Sequence, residues 1–274
     1  MTVTSSTGSL RAFVARYPVS SMIVTMVTVA FALLIPPALA GLALEPFLLA
    51  TVVFAQLVPA VLVTAAADGR AGVRDLFRRV FRWRVHPIWY AVAFLVLPVA
   101  ALLGTAIVFG TAASLQALVT NPAVILAYLG QLAILPLVNL WEETAVTGVI
   151  QARLIATRGP VTAAVVTGLV FALYHLPLRL GQPLDVVLVG MAATAAIAIL
   201  LRCVTGWLYV RTGGSILLVA GLHATFNAVN NTNLLTATAP GSVLLMQTAS
   251  IVIGIWGIWL LVATRGRLGL KRRH

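Results

Sequence analysis

Long apolar runs, separated by short polar or basic connections, form the dominant pattern of this sequence. Eight runs contain the roughly 20 mostly apolar residues that an α-helix needs to cross a bilayer. Because all of them favour helices, we predict an all-α fold, a polytopic transmembrane helical bundle of about eight spans forming a single membrane domain over residues 1–274. The runs are 18–41, 46–67, 87–110, 122–157, 160–178, 184–208, 214–232 and 242–264.

The composition supports a membrane protein and argues against a soluble one. Hydrophobic residues make up 61% of the chain and charged residues 9%, whereas a typical soluble domain has about 25% charged residues. The mean hydropathy is +1.06. With one cysteine, Cys203, the chain can form neither an intrachain disulfide nor a cysteine-based metal cluster. We expect a multi-pass protein of the cell membrane.

The net charge of +12 arises mainly in the connections and tails. Arg202 and Arg211 flank the turn after the sixth run, and with eight spans all 18 Lys and Arg residues except Arg179 fall on one side. This positive-inside pattern predicts that both termini are cytoplasmic. The basic residues form no aromatic-interleaved face, so we predict no nucleic-acid partner.

The connection at residues 70–84 is rich in arginine and carries aromatic side chains. Basic residues attract anionic headgroups, and aromatic rings favour the membrane–water interface. We therefore expect an interfacial helix that binds anionic lipid, in addition to the contact of the spans with the bilayer. The alternative is a solvated cytoplasmic loop.

Three of the runs carry polar or ionisable residues that lipid disfavours. An ionisable side chain at the bilayer centre costs about 2.5–3.5 kcal/mol on insertion scales, so such residues tend to be functional. Counted from the cytoplasmic ends at a rise of 1.5 Å per residue, the four groups other than Glu143 lie roughly 14–22 Å deep. We therefore expect them to lie in one layer. The residues are Glu142 and Glu143 in the fourth run, His175 in the fifth, and His223 and Asn227 in the seventh.

The local spacing indicates how these side chains can share a site. His223 and Asn227 lie at i and i+4 and so share a helix face, whereas Glu142 and Glu143 point about 100° apart. A carboxylate, two imidazoles and a carboxamide suit hydrolysis, in which one group activates water and others stabilise an oxyanion. Zinc held by His175, His223 and Glu142 is an alternative, although the H-E-x-x-H spacing is absent. A proton- or ion-coupled secondary transporter is another.

Three short motifs resemble those of the CPBP family, the CAAX protease and bacteriocin-processing (Abi, or type II CAAX prenyl protease-like) intramembrane proteases. They are "EETAVTG", "FALYH" and "HATFN", which follow the family's Glu-Glu-x-x-x-Arg, Phe-x-x-x-His and His-x-x-x-Asn in order. The resemblance covers a protease-like core at residues 120–232. It implies an eight-helix bundle that hydrolyses peptide bonds in a peptide or membrane-protein substrate.

The resemblance also implies roles for individual residues. Glu142 would activate water with help from His175, while His223 and Asn227 would stabilise the oxyanion. Glu143 would be a second essential acid, with Phe171 and Thr147 in supporting positions. Members are often described as metalloproteases, and zinc is the alternative. We favour a metal-free glutamate mechanism, because the roles assigned to these residues need no metal ion.

The sequence departs from the family pattern at one position. Thr147 stands where the family has arginine, four residues after Glu143, and a threonine cannot supply that charge. Glu143 is then neutral, or it uses Arg153 or a residue from another helix. A non-proteolytic scaffold or immunity-type member therefore remains an alternative.

Overall fold

A computed structural model describes residues 6–109, 122–231 and 248–270, and this part of the chain contains helices and no strand. The predicted all-helical fold is confirmed there. The N-terminal half contains α1 (Ser6–Arg16), α2 (Pro18–Leu39), α3 (Glu45–Thr51), a π-helical segment (Val52–Leu57), α4 (Val58–Val80), α5 (Ile88–Phe94) and α6 (Val96–Phe109).

The C-terminal half carries the motifs. It contains α7 (Pro122–Ala145), a π-helical segment (Val146–Gln151), α8 (Ala152–Arg158), α9 (Pro160–Tyr174), a 3₁₀ turn (Leu176–Arg179), α10 (Leu184–Arg211), α11 (Ile216–Asn231) and α12 (Thr248–Ala263). Residues 120, 121 and 232 of the predicted protease-like core lie outside the described residues.

Four helical segments among the described residues are long and apolar enough to cross a membrane. Each of the eight predicted runs contains helix. Two of the helices outside these four segments, α9 and α12, are apolar but shorter. The structure thus supports a membrane protein, while the number of spans and the cytoplasmic termini stay predictions. The four segments are Pro18–Leu39, Glu45–Val80, Ile125–Arg158 and Leu184–Arg211.

Backbone irregularities subdivide several of the long runs. The third run is interrupted at Leu95, where Pro98 cannot donate a hydrogen bond to the carbonyl of Phe94. The second run continues as helix beyond its predicted end, but Gly69 has φ +66° and ψ −162°, which kinks it. Pro136 lies within the continuous α7, and the winding changes later, in the π-helical segment that begins at Val146, three residues after Glu143.

Helices α9 and α10 form the most extensive helix pair, followed by α7 and α11. A smaller contact between α10 and α11 joins these two pairs, so the three motif-bearing helices lie together with α10. One apolar cluster of the core, which also includes residues of α2 and α4, contains Val146, Ile150 and Ile216. Large apolar side chains on the outside, among them Leu126 and Ile134, are exposed as expected of a surface solvated by lipid.

The contact between α9 and α10 depends on Gly168. A Cβ atom at this position would lie 2.6 Å from the Ile199 Cα and 2.7 Å from its backbone nitrogen, so the helices would have to separate. We expect Gly168→Ala to destabilise the protein by about 1–3 kcal/mol. Thermal unfolding in detergent measures this effect. Gly130→Ala is the control, because nothing lies within 4 Å of its added Cβ, and an unfolding temperature equal for both variants would contradict the prediction.

Candidate active site

A cavity of about 520 Å³ lies between the motif-bearing helices. Glu142 reaches it from α7, His175 from the end of α9, and His223 and Asn227 from α11. The structure therefore brings together four side chains that the sequence places at one depth. Apolar side chains, including Phe171 and Leu201, complete much of the wall.

Glu142 belongs to a short chain of amide contacts. The Asn139 Nδ2 group donates to Glu142 Oε2 at 3.3 Å, and the Asn227 Nδ2 group donates to Asn139 Oδ1 at 3.4 Å. Asn139 itself is buried, while Glu142 is only partly buried and faces the cavity. The contacts link the carboxylate on α7 to the carboxamide on α11.

His175 follows the last residue of α9 and is held by the backbone of that helix. Its Nδ1 lies 2.7 Å from the Phe171 carbonyl oxygen. Because a carbonyl can only accept, Nδ1 must carry the hydrogen. This arrangement leaves Nε2 as the ring nitrogen available to the cavity, and in a neutral imidazole that nitrogen accepts hydrogen bonds.

Glu143 faces away from the cavity into a fully buried polar cluster. His223 Nδ1 lies 2.7 Å from Glu143 Oε1, and Arg202 Nη1 lies 2.6 Å from Glu143 Oε2. The Thr147 hydroxyl donates to the same Oε2 at 2.5 Å. The carboxylate thus has partners on both oxygens, as a buried charge requires.

The guanidinium of Arg202 lies over an aromatic ring as well as beside the carboxylate. Its Cζ is 4.9 Å from the centre of the Phe171 ring, a cation–π distance. The same ring lies 4.4 Å from the His175 ring and 5.6 Å from the His223 ring, measured between centroids. Phe171 therefore packs between the two histidines and the arginine.

A comparison with protein families identifies this region. Residues 124–229 match the family described as Type II CAAX prenyl endopeptidase Rce1-like. This segment is therefore similar to Rce1-like endopeptidases. The resemblance predicted from the three motifs is confirmed, and the match is consistent with a CPBP family protease. No curated protein matches the chain at a significant level.

Glu143 has a positively charged partner although the motif arginine is missing. Arg202 was expected to flank the turn after α10, but it lies inside that helix and is completely buried. The assignment of Arg202 to the basic loops was therefore wrong. A charged side chain six residues inside a predicted span should have been counted with the other intramembrane ionisable groups.

Arg153 does not fill the role that the sequence left open for it. Its Nη2 forms an ion pair with Asp68, and its Nη1 donates to the Val149 carbonyl oxygen at 3.3 Å. Arg153 therefore lies outside the buried cluster. The partner of Glu143 is a residue from another helix, Arg202. Thr147 lies between the charges, with Oγ1 3.4 Å from Arg202 Nη1.

Two uncharged residues of the site were not predicted from the sequence. Asn139 precedes Glu142 by three positions, and Gln151 donates from Nε2 to the Arg202 carbonyl oxygen at 2.8 Å. Both are buried amides inside or beside an apolar run. That pattern was the available signal, because a buried amide needs a hydrogen-bonding partner.

The zinc hypothesis can be tested against the arrangement of donors. His175 and His223 each hold Nδ1 against an oxygen, which is how zinc-binding histidines are commonly oriented. Among the described residues, however, no group of three or more His, Cys, Asp or Glu side chains is placed to hold a metal ion. The arrangement does not fit a zinc site, and we derive no step through a metal.

Proposed function

We propose that the protein is an intramembrane endopeptidase that uses Glu142 to activate the attacking water. The observation that carries this proposal is the single cavity lined by Glu142, His175, His223 and Asn227 in a Rce1-like domain. A base, a second hydrogen-bond acceptor and two candidate oxyanion ligands face one space large enough for a peptide segment.

In the first step, the Glu142 carboxylate takes a proton from water while the water oxygen attacks the peptide carbonyl carbon. His175 Nε2 accepts a hydrogen bond from the same water and orients it. The developing oxyanion receives hydrogen bonds from the Asn227 amide and from His223. Because Glu143 holds the His223 Nδ1–H, Nε2 donates only from the imidazolium form of the ring, and this role requires that form. Such oriented donors are among the largest contributions to catalysis.

In the second step, the tetrahedral intermediate collapses and the carbon–nitrogen bond breaks. Glu142 returns its proton to the leaving nitrogen, so one product has a new amino group and the other a new carboxylate. The Asn139 amide holds Glu142 Oε2 through both steps. One carboxylate thus serves as general base and then as general acid.

In this proposal Glu143 acts through His223 rather than on the substrate. It fixes the Nδ1–H of His223 and keeps the other ring nitrogen directed to the reaction centre. Arg202 and Thr147 hold the carboxylate in turn. The missing motif arginine was the reason for considering a non-proteolytic scaffold. Arg202 supplies a positive charge to Glu143, which removes that reason.

We propose a peptide or membrane-protein segment as substrate, cleaved by a multi-pass protein of the cell membrane with both termini cytoplasmic. Residues 70–84 remain our proposed contact with anionic lipid. Arg79 is not available for it, because its Nη1 donates to the Tyr209 hydroxyl at 2.7 Å. Arg78 is exposed but pairs with Asp75. The remaining candidates in this segment have exposed side chains and are Arg70, Arg74, Arg82 and Arg84.

Reconstituted vesicles provide the test of this function. Purified protein is incubated with an S-farnesylated CAAX peptide, the same peptide without the lipid, and an apolar transmembrane peptide, and products are identified by mass spectrometry. We expect at least one peptide to be cut by the wild type and none by Glu142→Gln. If no peptide is cut and the vesicles instead show pH-driven flux that Glu142→Gln removes, the transporter hypothesis replaces this one.

A further inference from the structure

The cavity extends beyond the catalytic candidates to a positively charged wall. Arg179 lines it together with Glu142 and His175, and it is the only Lys or Arg among the described residues that do so. The proposed mechanism does not use this arginine. Its position, four residues after His175, places the charge beside the reaction centre.

The guanidinium of Arg179 is held in place by α10. Its Nη2 donates to the Thr194 hydroxyl at 3.2 Å, and that hydroxyl donates to the Gly190 carbonyl oxygen at 2.8 Å. At Gly190 a Cβ atom would collide with the guanidinium, so the absence of a side chain leaves room for the arginine. Gly190 and Thr194, one helical turn apart on α10, therefore form the binding position of the Arg179 guanidinium.

No carboxylate within the described residues neutralises Arg179. Four other arginines in this part of the chain do have acidic partners. Arg202 pairs with Glu143, Arg153 with Asp68, and Arg78 and Arg79 with Asp75. The Arg179 side chain is partly buried in a cavity with both polar and apolar walls, and a guanidinium without an ion pair keeps hydrogen-bond donors available for an anionic ligand. Guanidinium groups bind carboxylates through two parallel hydrogen bonds, which gives both affinity and orientation.

We propose that Arg179 is a specificity residue that binds a carboxylate of the peptide substrate, either the free C-terminus or an acidic side chain. The inference rests on the proposed endopeptidase function. The carboxylate fixes how far the peptide enters and thereby which bond lies against Glu142. Arg179 binds substrate and takes no part in bond breaking.

Matched peptides separate the two sources of the carboxylate. One set has a free or an amidated C-terminus, and another has Glu or Gln in the segment that is released. One of these two carboxylates binds Arg179, and neutralising that carboxylate should lower kcat/KM by about tenfold to a hundredfold, because a hydrogen bond to a charged group is lost. The loss should appear in KM, with kcat largely kept.

Variants of Arg179 show whether this preference depends on the arginine. Arg179→Gln should cleave the carboxylate peptide and its amide equally, and Arg179→Glu should favour a peptide with Lys at the same position. Arg158→Gln is the control, since this exposed arginine lies outside the cavity. A wild-type preference for the carboxylate that survives in Arg179→Gln would overturn the proposal.

Binding to the Glu142→Gln protein distinguishes this proposal from the proposed function. The labelled free-acid and amide peptides are titrated into this variant with Arg179 intact or replaced by glutamine. Arg179-dependent preference for the free acid, without any cleavage by the wild type, would support the subsite and overturn the endopeptidase. Cleavage by the wild type with equal binding of both peptides would overturn the subsite alone, and no binding of either peptide would overturn it too.

Discussion

Replacing Arg202 with glutamine is expected to lower the free energy of unfolding by about 3–5 kcal/mol, because it leaves a buried charge without its partner. Glu143 is completely buried, and its carboxylate also holds the Nδ1 of His223. We expect a large fall in unfolding temperature in detergent and loss of peptide cleavage. Both effects have the same cause, since Glu143 positions His223.

Moving the charge back to the family position should reverse much of this loss. In the double variant Thr147→Arg with Arg202→Gln, the new arginine lies four residues after Glu143 and on its helix face. Thr147→Arg alone should also be damaging, because it places a second cation beside Arg202 in a buried site. The double variant should therefore be more stable and more active than either single variant.

A double-mutant cycle on unfolding free energy and on kcat/KM measures this coupling directly. Arg153→Gln is the matched control, because its partly exposed pair with Asp68 is worth about 1 kcal/mol or less. If the losses in the two single variants simply add in the double variant, Arg202 does not substitute for the motif arginine. Recovery of stability without activity would restrict Arg202 to a structural role.

Glu142→Gln is expected to reduce kcat by about 10²–10⁴-fold, the usual contribution of a general acid–base. Glutamine has nearly the same shape but cannot take a proton from water. The side chain is partly buried and makes one long contact with Asn139, so the fold should be retained. Cleavage kinetics measured alongside thermal unfolding separate the chemical effect from a folding defect.

Glu45→Gln provides the control for a change from carboxylate to amide. Glu45 lies in the first turn of α3 and does not line the cavity, so cleavage should be unchanged. Wild-type turnover in Glu142→Gln would remove Glu142 from the role of base. The hydrolytic mechanism would then need a different group to activate water.

The sequence was sufficient for the helical fold class and for grouping Glu142, His175, His223 and Asn227, which line one cavity. Apolar runs require helices because lipid offers no hydrogen bonds to the backbone, and polar residues inside such runs are conspicuous. The expectation that Glu142, His175 and Asn227 lie in one layer used only the rise of an α-helix, and the three side chains line one cavity. The ends of the runs were less predictable, since Gly69 and Pro98 alter helices in ways that hydropathy does not register.

Only the tertiary structure decided which groups support the catalytic candidates. The partner of Glu143 lies 59 positions further along the chain, on a helix whose rotation and depth no local pattern specifies. The same applies to Arg179, whose seat is made by Gly190 and Thr194 on another helix. Local spacing determines which side chains share a helix face, whereas packing between helices determines which charges meet.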